Sequence, residues 1–111
     1  MIAARVAVAL GDAIALVIAE AGRTTETVLA DLRAARTGER DSVLLLIAGD
    51  VPALDRALLR AAIGPLAIEL APAMRLNAVD VVGGAADDDV IAAARFLAVA
   101  DSTTGQVIDV R

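Results

Sequence analysis

Between Ile68 and Val82 the chain reads IELAPAMRLNAVDVV, where a helical pattern ends, a proline interrupts and a strand begins without a spacer. Apolar residues at helical spacing stop at Leu70. Pro72 has no amide with which to continue the helix, and from Met74 the spacing is that of a strand rich in Val and Leu. This is an α-to-β connection, and the other segments can be placed relative to it.

The same alternation runs through most of the chain. Ile14 to Ala19 (IALVIA) and Val43 to Ile47 (VLLLI) are short apolar runs of the kind found in strands buried on both faces. After Gly22, Thr24 or Thr25 can cap a helix that has Glu26 in its first turn and Val28, Leu29, Leu32 and Ala35 on one face. Asp50 is the expected cap of the next helix, with Pro52 in its first turn. Leu54, Leu58, Leu59, Ala62, Ile63, Leu66 and Leu70 then form its apolar stripe. Pro65 lies inside that helix, where a proline costs about 3 kcal/mol, so a kink is expected near Gly64.

A strand from Arg75 to Val82, a Gly83-Gly84 turn and a helix opened by Asp87, Asp88 and Asp89 follow. A closing strand runs from Gln106 to Val110. Strands separated by helices of this length pair in parallel with right-handed crossovers. The expected architecture is one domain over residues 1–111, a three-layer α/β/α fold on a mostly parallel sheet of four to five strands.

Ile2 to Leu10 reads either as a helix ending at Gly11 or as a first strand, from Arg5, joined to the next by a Gly11-Asp12 turn. The helix is preferred, because a hairpin would set an antiparallel edge on a parallel pattern. Arg5, Gly11 and Asp12 interrupt the apolar start, so neither a signal peptide nor a membrane span is expected, and a cytoplasmic location is.

Composition excludes more chemistry than it suggests. The chain has no His, Cys, Tyr, Lys or Trp, which removes thiolate and imidazole zinc sites, disulfides and the usual activating bases. No metal and no cofactor is expected. Phe96 is the only aromatic residue, so the core is aliphatic. Ten Arg against fifteen acids give a net charge of −5, with no basic patch, and nucleic acid is not an expected partner.

The residues also carry a family resemblance. Arg56 to Val79 (RALLRAAIGPLAIELAPAMRLNAV) resembles the helix and strand after the active site of short-chain dehydrogenases/reductases, which end in E-L-A-P and then R-V-N-A-V. Leu76 stands where that family usually has Val. Asp89 to Val110 (DVIAAARFLAVADSTTGQVIDV) is similar to the family's last helix and strand. Ala15 to Gly22 and Ser42 to Gly49 resemble, more distantly, the strand ending in N-N-A-G and the strand that carries the catalytic Ser. The resemblance spans most of the chain but only the second half of a full reductase, and it implies a Rossmann-like or flavodoxin-like half sheet.

It also implies that the reaction is missing. The catalytic Tyr and Lys of the family lie four apart at the start of the long helix, and counting back from Glu69 puts Pro52 and Arg56 there. Ala48 or a neighbour stands at the Ser position, and the helix from Thr24 has no Asn. The Gly-rich turn that holds the dinucleotide pyrophosphate belongs to the half that does not align. A stable inactive half of this kind resembles the flavodoxin-like N-terminal domain of large 3-oxoacyl-carrier-protein reductases.

The reading that follows is a non-catalytic reductase-like domain acting in oligomerisation, with itself or with an active reductase subunit. The alternative is a subunit of an NAD(P)-dependent oxidoreductase whose site another chain completes. A small binding module using the crevice at the carboxyl ends of the strands is a third. By resemblance, the contact surfaces are the long helix and the last helix-strand pair, with Leu54, Leu58, Leu66, Phe96, Val107 and Ile108 as candidates. Three further features have ordinary structural readings beside functional ones. Arg23 is a surface residue or an anion contact. Asp87 to Asp89 favour a helix start or hold a cation. Asn77, buried in its strand by position, satisfies nearby backbone groups or touches a ligand.

Overall fold

The structure, a computed structural model, describes residues 2–12 and 14–111; Met1 and Ala13 lie outside the described residues. Its elements are α1 (Ile2–Leu10), β1 (Ala15–Ala19), α2 (Thr25–Ala34), β2 (Ser42–Ile47), α3 (Ala53–Leu70), β3 (Arg75–Val81), α4 (Asp87–Val99) and β4 (Val107–Val110). A short 3-10 turn, Ala35–Thr37, follows α2. The four strands form one parallel sheet in the order β1-β2-β3-β4.

Each strand alternates its side chains between two apolar layers. Val43, Leu45 and Ile47 of β2, with Leu76 and Ala78 of β3, pack with Val28 and Leu32 of α2 and Leu59, Ile63, Leu66, Ala67 and Leu70 of α3. On the other face Leu44, Leu46, Val79 and Val81 pack with Val6 and Leu10 of α1 and Val90, Ala94 and Leu97 of α4. All six residues of β2 are buried because both faces are covered, as its unbroken aliphatic run requires. At about 1.5–3 kcal/mol for each large aliphatic side chain fully buried, these two layers supply the main stabilisation.

The first segment is the helix α1, which ends where Gly11 takes φ 57° and donates its amide to Ala7 O at 3.0 Å. It packs on α4 and covers the face of the sheet opposite α2 and α3. Thr24 is the cap of α2, accepting the Thr27 amide at 3.1 Å. One expectation for α3 changes. Helix α3 begins after Pro52, and the Asp50 carboxylate instead accepts the Ala21 amide at 3.2 Å, tying the loop after β1 to the loop after β2. Pro65 is exposed within α3, which continues past it to Leu70. Ala61, whose carbonyl loses its intrahelical partner, is also on the exposed side, where water can take the bond.

The RLN segment that opens β3 pins the α4–β4 connection. Arg75 donates to Ala100 O at 2.8 Å, Asn77 donates to Thr103 O at 2.9 Å, and the Asn77 side-chain oxygen accepts the Gln106 amide at 3.1 Å. Asn77 is therefore buried and occupied with backbone, as expected for a polar side chain inside a sheet. Among the described residues, no helix is long and apolar enough to cross a membrane.

Candidate functional site

In open parallel sheets, ligands sit at the carboxyl ends of the strands. Here that end is formed by the loop after β2, the start of α3 and the loop after β3. Gly49 and Gly83 bring the two loops into backbone contact, since a Cβ on Gly49 would lie 3.3 Å from the Gly83 Cα. With Val51, Ala53, Arg56, Ala57, Arg60 and Val82 they line an open cavity of about 380 Å³.

The walls of this cavity are held by an ion network. Asp80 is 4% exposed, near the end of β3, on the face toward α3. Arg56 and Arg60 are one helical turn apart and both reach its carboxylate. Arg56 Nη1 meets Asp80 Oδ1, and Arg60 Nη1 lies 2.6 Å from Asp80 Oδ2. Arg60 also bonds Asp109 on β4. Its guanidinium is held more firmly protonated by Asp109 first and Asp80 second. Arg56 goes further into the loops, donating to Val81 O at 3.2 Å, to Ala48 O at 2.7 Å and to Val51 O at 3.4 Å. A charge this deep is tolerated because its donors are paired with a carboxylate and three carbonyls.

The positions expected from the family resemblance are thus brought together, each held by other groups of the chain. Ala48 offers a carbonyl where the family resemblance places a hydroxyl, and that carbonyl is taken by Arg56. Pro52 is exposed and lends its carbonyl to the Arg56 amide at 2.9 Å. Arg56 stands at the lysine position, but its terminal nitrogens are spent on the protein itself.

The turn after β1 is likewise occupied by the protein's own groups. The N-terminus of α2, after β1, is closed by its own Thr24, and the Asp50 carboxylate occupies the neighbouring loop amide. Arg23, the one cation of that turn, donates to Ile18 O at 2.7 Å and pairs with Asp31. Its reading as an anion contact gives way to that geometry.

The remaining candidates separate. Leu54 (71% exposed) and Leu58 (48%) lie on the outer face of α3, whereas Leu66 is buried in the core and offers no surface. Phe96 is exposed on α4, on the opposite side of the sheet from α3. Val107 and Ile108 are half-buried in the edge strand β4, their side chains turned to opposite layers. The candidates therefore form no single surface. Arg5 pairs with Asp87 and Asp88 at 3.0 and 3.1 Å, so two of the three acids at the start of α4 answer an arginine of α1. Among the described residues, no group of His, Cys, Asp and Glu side chains is placed to hold a metal ion.

Reading the sequence missed the Asp80 network. A signal was present: one carboxylate in an otherwise apolar strand end demands a partner, and Arg56 and Arg60 stand four apart on the preceding helix. It also missed Ile68, 79% exposed on the same side of α3 as Leu54 and Leu58. Helical periodicity alone predicts that alignment.

No curated protein and no solved structure matches the chain significantly. A family model described as short chain dehydrogenase-like protein matches residues 8–110, nearly the whole chain. With the parallel half sheet and its helix-strand order in place, the chain belongs to the short chain dehydrogenase-like family.

Proposed function

We infer that this chain is a non-catalytic member of its family whose role is association, with a second copy or with an active reductase subunit, through the outer face of α3. One observation carries the reading: α3 is apolar nearly all round. Leu59, Ile63, Leu66, Ala67 and Leu70 are buried against the sheet, yet Leu54, Ala57, Leu58, Ala61, Pro65 and Ile68 are exposed on the other side. A helix without a polar face is ordinarily covered on both sides. Arg56 supports the same reading from the chemical side, because at the lysine position of the resemblance both of its terminal nitrogens are bonded to the protein's own Asp80, Val81, Ala48 and Val51 oxygens.

The area sets the strength. At a rise of 1.5 Å per residue α3 is about 27 Å long, and a face about 10 Å wide covers roughly 270 Å². That is below the about 800 Å² per partner of a standard interface, so α3 alone supports weak association. Sedimentation at tens of micromolar should show a dimer that Leu58→Glu abolishes, and NAD(P)H oxidation by the purified chain with 3-oxoacyl or simple ketone substrates should stay at background. A chain that stays strictly monomeric and also fails to bind an active reductase subunit, or turnover retained after removal of contaminating reductase, overturns the reading.

A second reading, a subunit whose site another chain completes, draws on the apolar cavity between Gly49, Val51, Val82 and Gly83. It requires turnover that appears only when a reductase subunit is mixed with this chain and is lost when Ala53→Leu narrows the cavity.

A further inference from the structure

The sheet ends on one side at β1, whose five residues are all uncharged and apolar and pair residue for residue with β2. An edge of this composition offers its outward amides and carbonyls to any other extended chain. The Ala19 carbonyl accepts the Ala48 amide at 2.9 Å and so faces β2. Alternation along the strand then turns the backbone groups of Leu16 and Ile18 to the free edge. One of these groups is closed. Arg23, in the turn after β1, donates from Nη1 to the Ile18 carbonyl at 2.7 Å, while its Nη2 is held by Asp31 of α2. The opposite edge is protected differently: β4 has only four residues, and its Asp109 is a charge within the strand, bound to Arg60.

We propose that Arg23, oriented by Asp31, guards the β1 edge, and that the occupant it keeps out is β1 of a second copy. Two identical edges meeting across a twofold axis pair antiparallel. Centred on Val17, that pairing sets Leu16 opposite the other copy's Ile18, and these outward residues exchange hydrogen bonds. Each exchange needs one Ile18 carbonyl as acceptor, so the Arg23 of each copy withdraws one bond from it. Nothing else on the strand resists. In this register Glu20 faces Ile14 and Asp12 faces Gly22, so no like charges oppose each other. The arginine is therefore the main barrier to joining two half sheets into one.

The test uses the full chain in the Leu58→Glu background, where association through α3 is removed, so a negative result leaves the reading of α3 standing. Arg23→Ala is expected to self-associate about tenfold more tightly by sedimentation, for the hydrogen bonds regained. The amides of Leu16 and Ile18 should at the same time become slow to exchange. Asp31→Ala, which removes no contact to the sheet, should shift both readouts in the same direction by less, and it decides the matter alone if Arg23→Ala does not fold. If the variants, folded by circular dichroism, sediment as their parent does and the two amides exchange at the parent's rate, the proposal is overturned.

Discussion

The carboxyl end of the sheet and the outer face of α3 are built from the same helix and finished in opposite ways. At the carboxyl end, Arg56 and Arg60 close on Asp80, Asp109 and three loop carbonyls. On the outer face, Leu54, Leu58 and Ile68 are exposed. By the family resemblance the first region is where chemistry is expected, and its two arginines are paired with the protein's own groups. The second is plain scaffold, and it is left unsatisfied. Exposed apolar surface of this kind indicates where a domain meets something else.

The comparison breaks most severely at Asp80. Asp80→Ala leaves the half-buried Arg56 without its carboxylate and should cost about 3–5 kcal/mol in urea denaturation. The double variant Asp80→Ala with Arg56→Leu should recover much of that, because it removes the stranded charge as well. Failure of the double variant to recover any stability would mean that Arg56 acts chiefly by tying the loop carbonyls. Next comes the contrast within one residue step: Leu59→Ala, on the inner face, should cost about 3 kcal/mol. Leu58→Ala should stay within about 0.5 kcal/mol while weakening self-association. Equal stability losses at the two positions would contradict the two-faced description of α3.

The smallest effect lies beside the outer face, where Arg33 donates to both oxygens of Glu69, at 2.7 and 3.2 Å, and holds that carboxyl below the usual glutamate range. A lowered folded value means the pair stabilises the fold above the ordinary glutamate pKa and ceases to do so as the pH falls through the lowered one. Both groups are exposed, so the effect is small. The thermal midpoint of Glu69→Gln should trail the parent slightly at neutral pH and converge with it in acid. A gap that persists unchanged in acid would assign the loss to packing.

Most of the element order was legible because it rests on local pattern. The aliphatic run of β2, the Thr24 cap and the break at Pro72 each act within a few residues of themselves. The face assignments on α3 were legible only in part. Leu54 and Leu58 were placed in one stripe with Leu59, Ile63, Leu66 and Leu70, yet the structure puts the first two outside and the other four inside. A stripe has a phase only when polar residues bound it, and α3 has too few of them on its outer side to set one. Arg23 illustrates the same limit, since an arginine after a glycine turn has no intrinsic target. Its bond to Ile18 O exists because β1 falls at the edge of the sheet.

From the amino-acid order alone come the parallel α/β scaffold, the aliphatic core and the lack of the side chains that a reductase reaction uses, because periodicity and composition act locally. Which face of α3 is core, which strand edge is bare, and that Asp80 comes to rest between Arg56 and Arg60 were decided by the tertiary structure. Those outcomes depend on residues twenty or more positions apart meeting across a sheet, and packing, with the need to pair a buried charge, selects among arrangements that local pattern leaves equal.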